Sequence, residues 1–288
     1  MTNAADISQV GKVWFITGAS TGFGRALAEE VLKAGGRVVA TARRPEQLEW
    51  LPEKYPETAL ALALDVTHED SIKDAVDGAL KRFGRIDVLV NNAGYGLAGA
   101  IEEATEAEFM PVFETNLFGL IRVTRAVLPQ LRKQRSGHIL NLSSIGGLTG
   151  SAGWGYYNAS KFAVEGFSEA LAAEVAPLGV HVTIVEPGPF RTDFLGRSGV
   201  EAKQRIADYD ATAGKTREYF HGQAGKQRGD PVRAVHAMME VVDSPNPPQH
   251  LILGELALKR FRGKLEHWHD EIAAWESVTL GADFPEGE

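Results

Sequence analysis

The sequence predicts a three-layer, doubly wound α/β fold: a parallel sheet covered by helices on both faces, in a single Rossmann-like domain. Short runs rich in β-branched residues alternate along the chain with longer stretches of helical periodicity. Most of the short runs are apolar without polar alternation, as strands buried on both faces must be. A glycine-rich turn also joins the first apolar run directly to the first helical stretch.

Seven strands are expected, at Val13–Ile16, Arg37–Thr41, Leu60–Leu64, Ile86–Val90, His138–Leu142, Val180–Val185 and Leu251–Leu253. The first helix shows Phe23, Leu27 and Val31 on one stripe and is closed by Gly35-Gly36. Thr67 with Asp70 suggests the N-cap of a later helix, which ends near Phe83-Gly84. The turn-rich Ser244-Pro245-Asn246-Pro247-Pro248 reads as a loop, and no internal repeat is present. One domain is expected over residues 1–288, with two additions. A polar, weakly helical insertion at about 194–230 is placed to cover a substrate site, or to form an oligomer contact. A C-terminal extension at about 259–288 carries Phe261, Leu265, Trp268, Ile272 and Trp275 at helical spacing, and either covers the domain or blocks an oligomer contact.

Composition narrows the function classes. Of 288 residues, 44% are hydrophobic and 24% charged, which is ordinary for a globular chain with a sizeable core. The net charge of −8 opposes attachment to nucleic acid or to an anionic membrane, so neither partner is expected. With no cysteine, disulfides, thiolate nucleophiles and cysteine-bound zinc are excluded. Met1–Val10 lacks the basic start and apolar run of a secretory signal, and no apolar segment is long enough to span a bilayer; a cytoplasmic location is expected. The acidic tail, residues 282–288, lacks a lipidation signal and is expected to fray.

The segment Thr17-Gly18-Ala19-Ser20-Thr21-Gly22-Phe23-Gly24 places glycines where the backbone must turn tightly and approach an anion at a helix N-terminus. An isolated glycine cluster is as readily a plain turn; its position after a strand is what favours a nucleotide. Near the end of the second strand, where a carboxylate would bind the ribose hydroxyls of NAD, stand Thr41-Ala42-Arg43-Arg44. A guanidinium there suits a 2′-phosphate, so NADP(H) is the expected cofactor. The competing reading of Arg43 and Arg44 is solvated surface charge beside a turn.

Tyr157 and Lys161 lie four apart in a helical stretch, on one face about a turn apart. An ammonium near a phenol is expected to lower a pKa that is ordinarily about 10, giving a usable acid/base. Tyr156 has Ser160 four residues on, without charge, so the register favours Tyr157. Asn141-Leu142-Ser143-Ser144-Ile145-Gly146-Gly147 ends the fifth strand, at the edge where such sheets hold ligands.

The Gly18, Gly22, Gly24 spacing resembles the short-chain dehydrogenase/reductase family, here an NADP(H)-preferring member. Three more segments match it in order: Asn91-Asn92-Ala93-Gly94, Tyr157-Asn158-Ala159-Ser160-Lys161, and Pro187-Gly188. The resemblance covers about Lys12 to Thr192 and the last strand. It implies a cofactor site of Gly18, Ser20, Thr21, Gly22, Phe23, Gly24, Arg43, Arg44, Asp65, Val66, Asn92, Ala93, Gly94, Tyr157, Lys161, Pro187, Gly188 and Thr192. Asp65 would meet the adenine amino group, Asn92, Ala93 and Gly94 would line the ribose, and Pro187, Gly188 and Thr192 would hold the carboxamide. The resemblance further implies catalytic roles for Asn116, Ser144, Tyr157 and Lys161: Tyr157 as general acid/base, Ser144 orienting the carbonyl oxygen, Lys161 fixing the ribose, and Asn116 holding a water that relays protons to the lysine. Asn116 in a helix interior is equally read as bonding a local backbone group.

The expected activity is hydride transfer between nicotinamide and a ketone, aldehyde or secondary alcohol. Hydride transfer requires no metal, and His267-Trp268-His269-Asp270 reads as part of a surface helix, so no metal site is expected. Tyr95, Ile145, Trp154, Phe190 and Phe194, with Leu97 and Leu148, would line an apolar pocket for a lipophilic substrate; packing is the competing role for these side chains. A homodimer or homotetramer is the expected assembly. The alternatives are an NADP(H)-binding sensor without turnover, which a broken catalytic set would mark, and an epimerase or dehydratase, which would carry another glycine spacing and a larger C-terminal domain.

Overall fold

The computed structural model describes residues 9–196, 198–223 and 225–284. The first eight residues of the polar N-terminal segment and 285–288 of the acidic tail lie outside the described residues. Among the described residues, strands β1 (Val13–Ile16), β2 (Arg37–Ala42), β3 (Ala59–Ala63), β4 (Val88–Asn91), β5 (Gly96–Ala98), β6 (Gly137–Leu142), β7 (Val180–Pro187), β8 (Gly199–Glu201) and β9 (His250–Leu253) alternate with ten α-helices. These are α1 (Gly22–Lys33), α2 (Trp50–Lys54), α3 (Glu69–Phe83), α4 (Glu106–Phe113), α5 (Leu120–Gln134), α6 (Ile145–Leu148), α7 (Gly155–Val175), α8 (Lys215–Gln223), α9 (Pro231–Asp243) and α10 (Glu255–Leu280).

Seven strands form one parallel sheet in the order β3-β2-β1-β4-β6-β7-β9. Alternate side chains of β1 show why its strands are apolar throughout. Trp14 and Ile16 join the core beneath α1 and α9, while Val13 and Phe15 join the core beneath α3, α5 and α7. The chain runs outward from β1 to β3, then returns to place β4 on the other side of β1. That reversal opens a crevice at the carboxyl ends of β1 and β4, the place where such sheets take ligands.

All seven expected strands are present, β1 at its expected bounds and the ends of the others shifted by at most two residues. The Thr67 N-cap is not formed: His68 occupies that position without a side-chain bond, and Thr67 instead donates to Asp65. A carboxylate two residues upstream captures the hydroxyl before the helix can use it. The C-terminus of α3 is as expected, with Gly84 in the left-handed region at φ 75°.

The insertion contains more regular structure than its polar composition suggested. Its β8 pairs in parallel with β5 outside the main sheet. A buried ion pair then anchors it: Glu103 meets Arg217 at 2.7 Å and accepts backbone N–H groups of Ala100 and Ile206 at 2.7 and 2.9 Å. Three donors converge on one carboxylate, which offsets the cost of taking it out of water. No helix among the described residues is long and apolar enough to cross a membrane.

Leu131 on α5 is fully buried between the helix and the sheet. Leu131→Ala is expected to lower unfolding free energy by about 2–5 kcal/mol. Urea titration should show a lower midpoint at unchanged slope; a stability equal to the parent's would contradict this packing.

Candidate active site

Ser144, Tyr157 and Lys161 meet at the carboxyl edge of the sheet, on the wall of a cleft of about 1340 Å³. The glycine turn after β1 forms the other end of the same cleft. Gly18 and Gly22 have φ of +64° and +55°, and the backbone adopts these values only with strain at other residues. Thr21 precedes α1 without a side-chain cap, leaving first-turn N–H groups available to an anion. Gly24 does not line the cleft; a Cβ there would lie 2.5 Å from both Gly18 O and Asn92 Nδ2. Its smallness serves helix packing. The Asn92 amide donates to Thr17 O and Gly18 O, both at 2.9 Å, so this side chain clasps the turn from β4. An anionic group such as a phosphate fits this cradle of backbone donors and absent Cβ atoms.

Arg43 and Arg44 are exposed and border the cleft beyond β2, with Asp65 and Val66 opposite. Burial pushes the Asp65 carboxyl up, but the two Thr67 hydrogen bonds prevail and hold it below the usual range. Ser20, Thr21, Phe23, Ala93, Gly94, Pro187, Gly188 and Thr192 also line the cleft. A Cβ at Gly94 would lie 3.0 Å from Asn116 Oδ1 and 3.7 Å from Lys161 Nζ, so glycine is what lets the chain pass there.

Helix α7 supplies both Tyr157 and Lys161, and both are buried. Lys161 Nζ donates to Leu142 O at 2.6 Å and lies 5.9 Å from the Tyr157 ring centre. The expected lowering of the tyrosine is reversed. Burial pushes Tyr157 up to about 12, against the pull of a hydrogen bond with the Ser144 hydroxyl. Burial likewise brings Lys161 down to about 8, against the attraction of Glu165. Trp154 and Phe194 explain the first shift, their rings lying 5.5 and 5.4 Å from that of Tyr157. Tyr156 points elsewhere, stacking on Phe109 and donating to Ile101 O.

Asn116 does not line the cleft. It sits in a π-helical turn, Glu114–Gly119, between α4 and α5. Its amide donates to Tyr95 O and Ser160 Oγ, and its Oδ1 accepts from Tyr95 N. The side chain therefore ties the loop after β4 to α7. Tyr95, Ile145, Trp154, Phe190 and Phe194 all border the cleft, whereas Leu97 and Leu148 do not. Phe190 is also packed edge-on against Phe23 at 5.3 Å.

Sequence reasoning missed a buried acidic cluster behind the serines. Ser143 donates to Glu165, and Glu186 Oε1 lies 2.6 Å from His250 Nδ1. Glu165 Oε2 and Glu186 Oε2 find no hydrogen-bond partner among the described residues. Burial raises both carboxyls, Glu165 to about 7 and Glu186 to about 8. Two signals were available: Glu165 stands one turn beyond Lys161, and Glu186 ends an apolar strand run. Tyr219, Leu256 and Arg260 at the cleft mouth were likewise not foreseen.

Residues 12–202 match a family model described as short chain dehydrogenase. The oxidoreductase BOA17 of Botryotinia fuckeliana is 42% identical over 272 residues, 94% of this chain and 99% of that protein. The 3-ketodihydrosphingosine reductase of Bacteroides thetaiotaomicron is 38% identical, covering 89% of this chain and 93% of that protein. Among solved structures, a short-chain dehydrogenase from Streptomyces avermitilis superposes with a TM-score of 0.88 at 44% identity, covering 95% of this chain and all of that one.

The acidic cluster has a consequence for stability. A carboxyl whose pKa is raised on folding binds its proton more tightly in the native state, so its contribution falls as pH rises from the ordinary carboxylate value towards the folded one. For Glu186 that window runs from 4.5 to about 8. Glu186→Gln is expected to gain stability on the parent as pH rises through this window. Denaturant titrations at several pH values check it; a difference independent of pH would contradict the assignment.

Proposed function

Because the chain belongs to the short-chain dehydrogenase family, we propose that it is an NADP(H)-dependent oxidoreductase acting on a lipophilic ketone, aldehyde or secondary alcohol. The observation that carries this reading is the convergence of Ser144, Tyr157 and Lys161 on one cleft with the uncapped N-terminus of α1. When bound, the nicotinamide supplies or accepts the hydride at the carbonyl carbon. The residues of the chain handle the oxygen and its proton.

Tyr157 donates its phenolic proton to the substrate oxygen, and the Ser144 hydroxyl orients that oxygen as its charge develops. A phenol pushed up to about 12 stays protonated at neutral pH, which suits it to carbonyl reduction. Lys161 holds a ribose hydroxyl and places positive charge beneath the tyrosine. Asn116 acts by fixing the Tyr95 backbone and Ser160, whose hydroxyl donates to Tyr157 O.

Arg43 and Arg44 support the choice of NADP(H): they offer charge-assisted hydrogen bonds to a 2′-phosphate, and no carboxylate ends β2 to repel it. A lipophilic substrate is supported by the Trp154 and Phe194 wall, which Phe220 backs through Trp154, and by a relative named for 3-ketodihydrosphingosine. The insertion at about 194–230 excludes water from this wall, and a cytoplasmic homodimer or homotetramer remains the expected form.

NADPH and NADH consumption, followed by absorbance against a panel of aliphatic and polycyclic ketones, tests the activity. Tyr157→Phe is expected to cut turnover by at least about 100-fold while sparing cofactor binding; substantial residual rate would refute the role of the phenol. Arg43→Asp is expected to weaken NADPH selectively, by about 10-fold or more for the loss of a charged hydrogen bond. Unchanged discrimination between the two cofactors would overturn the phosphate reading.

A further inference from the structure

Helix α10 projects from the domain with much of its surface in solvent. It has 26 residues, and a helix of that size is about 39 Å long. Its apolar residues Leu258, Phe261, Leu265, Trp268, Ile272 and Trp275 follow one another at steps of three, four, three, four and three. This is the repeat of a helix that packs on another helix, narrower than the stripe of one that lies on a globular core. The inner end is held to its own domain, where Arg260 donates to Ser151 Oγ and Lys264 to Leu148 O. Beyond it Leu265 and Trp268 are each 47% exposed, Ile272 66% and Trp275 64%. A continuous apolar seam of this kind on a charged chain marks an interaction surface.

The charges on α10 are segregated along its length. Lys259, Arg260, Arg262 and Lys264 outnumber Glu255 and Glu266 in the first half, while Asp270, Glu271 and Glu276 occupy the second without a lysine or arginine. Two copies laid side by side in the same direction would set like charge against like. Laid antiparallel, each basic half meets an acidic half, and the same patch serves both chains, as a twofold interface requires.

We propose that α10 is a homotypic docking helix, pairing antiparallel with α10 of a second copy of this chain. Arg262 and Glu276 stand seven residues either side of His269 and flank the seam at equivalent positions of the repeat. In the pair, Arg262 of each chain faces Glu276 of the other, with Trp268 next to the twofold axis. The seam buries Leu265, Trp268, Ile272 and Trp275, and the flanking charges fix direction and register. An anionic membrane is a poorer occupant, since the exposed half of the helix is acidic and the whole chain carries −8.

Mass measured by light scattering over a range of protein concentrations tests the proposal on the full chain. Ile272→Glu, at an exposed site, is expected to halve the mass while leaving the circular dichroism spectrum unchanged. Arg262→Glu alone is expected to weaken association, and Arg262→Glu with Glu276→Arg in one chain to restore it, because the swapped charges again face each other. Three results overturn the proposal: a monomeric parent, a mass indifferent to Ile272→Glu, or a double variant no better than Arg262→Glu. Pelleting of the parent with anionic vesicles, lost in Ile272→Glu without any change of mass, would assign the seam to a membrane instead.

Discussion

The hydrogen bond from Lys161 to Leu142 O is the contact on which the end of the cleft holding Ser144 and Tyr157 depends. It ties the first turns of α7 to the end of β6, and so sets Tyr157 on the helix opposite Ser144 on the following turn. A buried ammonium is costly without partners. Here one carbonyl and the nearby Glu165 hold it, and the cost appears as a pKa brought down to about 8. The same burial raises the tyrosine, so two groups with nearly equal proton affinity in water, at 10.0 and 10.5, move apart to about 12 and about 8. The phenol is thereby the group that keeps its proton at neutral pH.

The glycine-turn end of the cleft depends on a different constraint, the closeness of β1 to β4 at the point where strand order reverses. Asn92 can bond Thr17 O and Gly18 O only because those strands are neighbours, and only because Gly24 carries no side chain. The turn is thus held in shape from the side, and its Thr17 and Ala19 N–H groups are tied to Val90 O and Thr41 O. Thr17 contributes from within, its hydroxyl accepting the N–H groups of Asn92 and Ala93. Preorganised donors spend little of their binding energy on ordering.

What could be read from the sequence was local or periodic. Strands buried on both faces declare themselves by unbroken apolar runs, and the glycine turn by its place after β1. Tyr157 could be told from Tyr156 because only one has a cation a turn away. The direction of its pKa shift could not be read, since it depends on Trp154 and Phe194, the second of which reaches the ring from a distant insertion. The pairing of β5 with β8 and the bonding of Glu103 to Ile206 and Arg217 join segments about a hundred residues apart. No pattern within a window of sequence carries such contacts.

The insertion shows how stability and function are linked. Its aromatic residues Phe194 and Phe220 complete the apolar wall beside Tyr157, directly or through Trp154. That wall makes the phenol hard to ionise. A polar segment by itself would not hold aromatics in one place, because few apolar contacts offset the entropy of ordering it. Glu103 supplies the missing constraint, gathering Ala100, Ile206 and Arg217 onto one buried carboxylate at the far side of the wall. Removing a single partner would leave charge buried and unpaired. The ion pair thus helps hold the segment that carries Phe194 and Phe220, and it bears on the surroundings of Tyr157 through packing, without touching the tyrosine or Ser144.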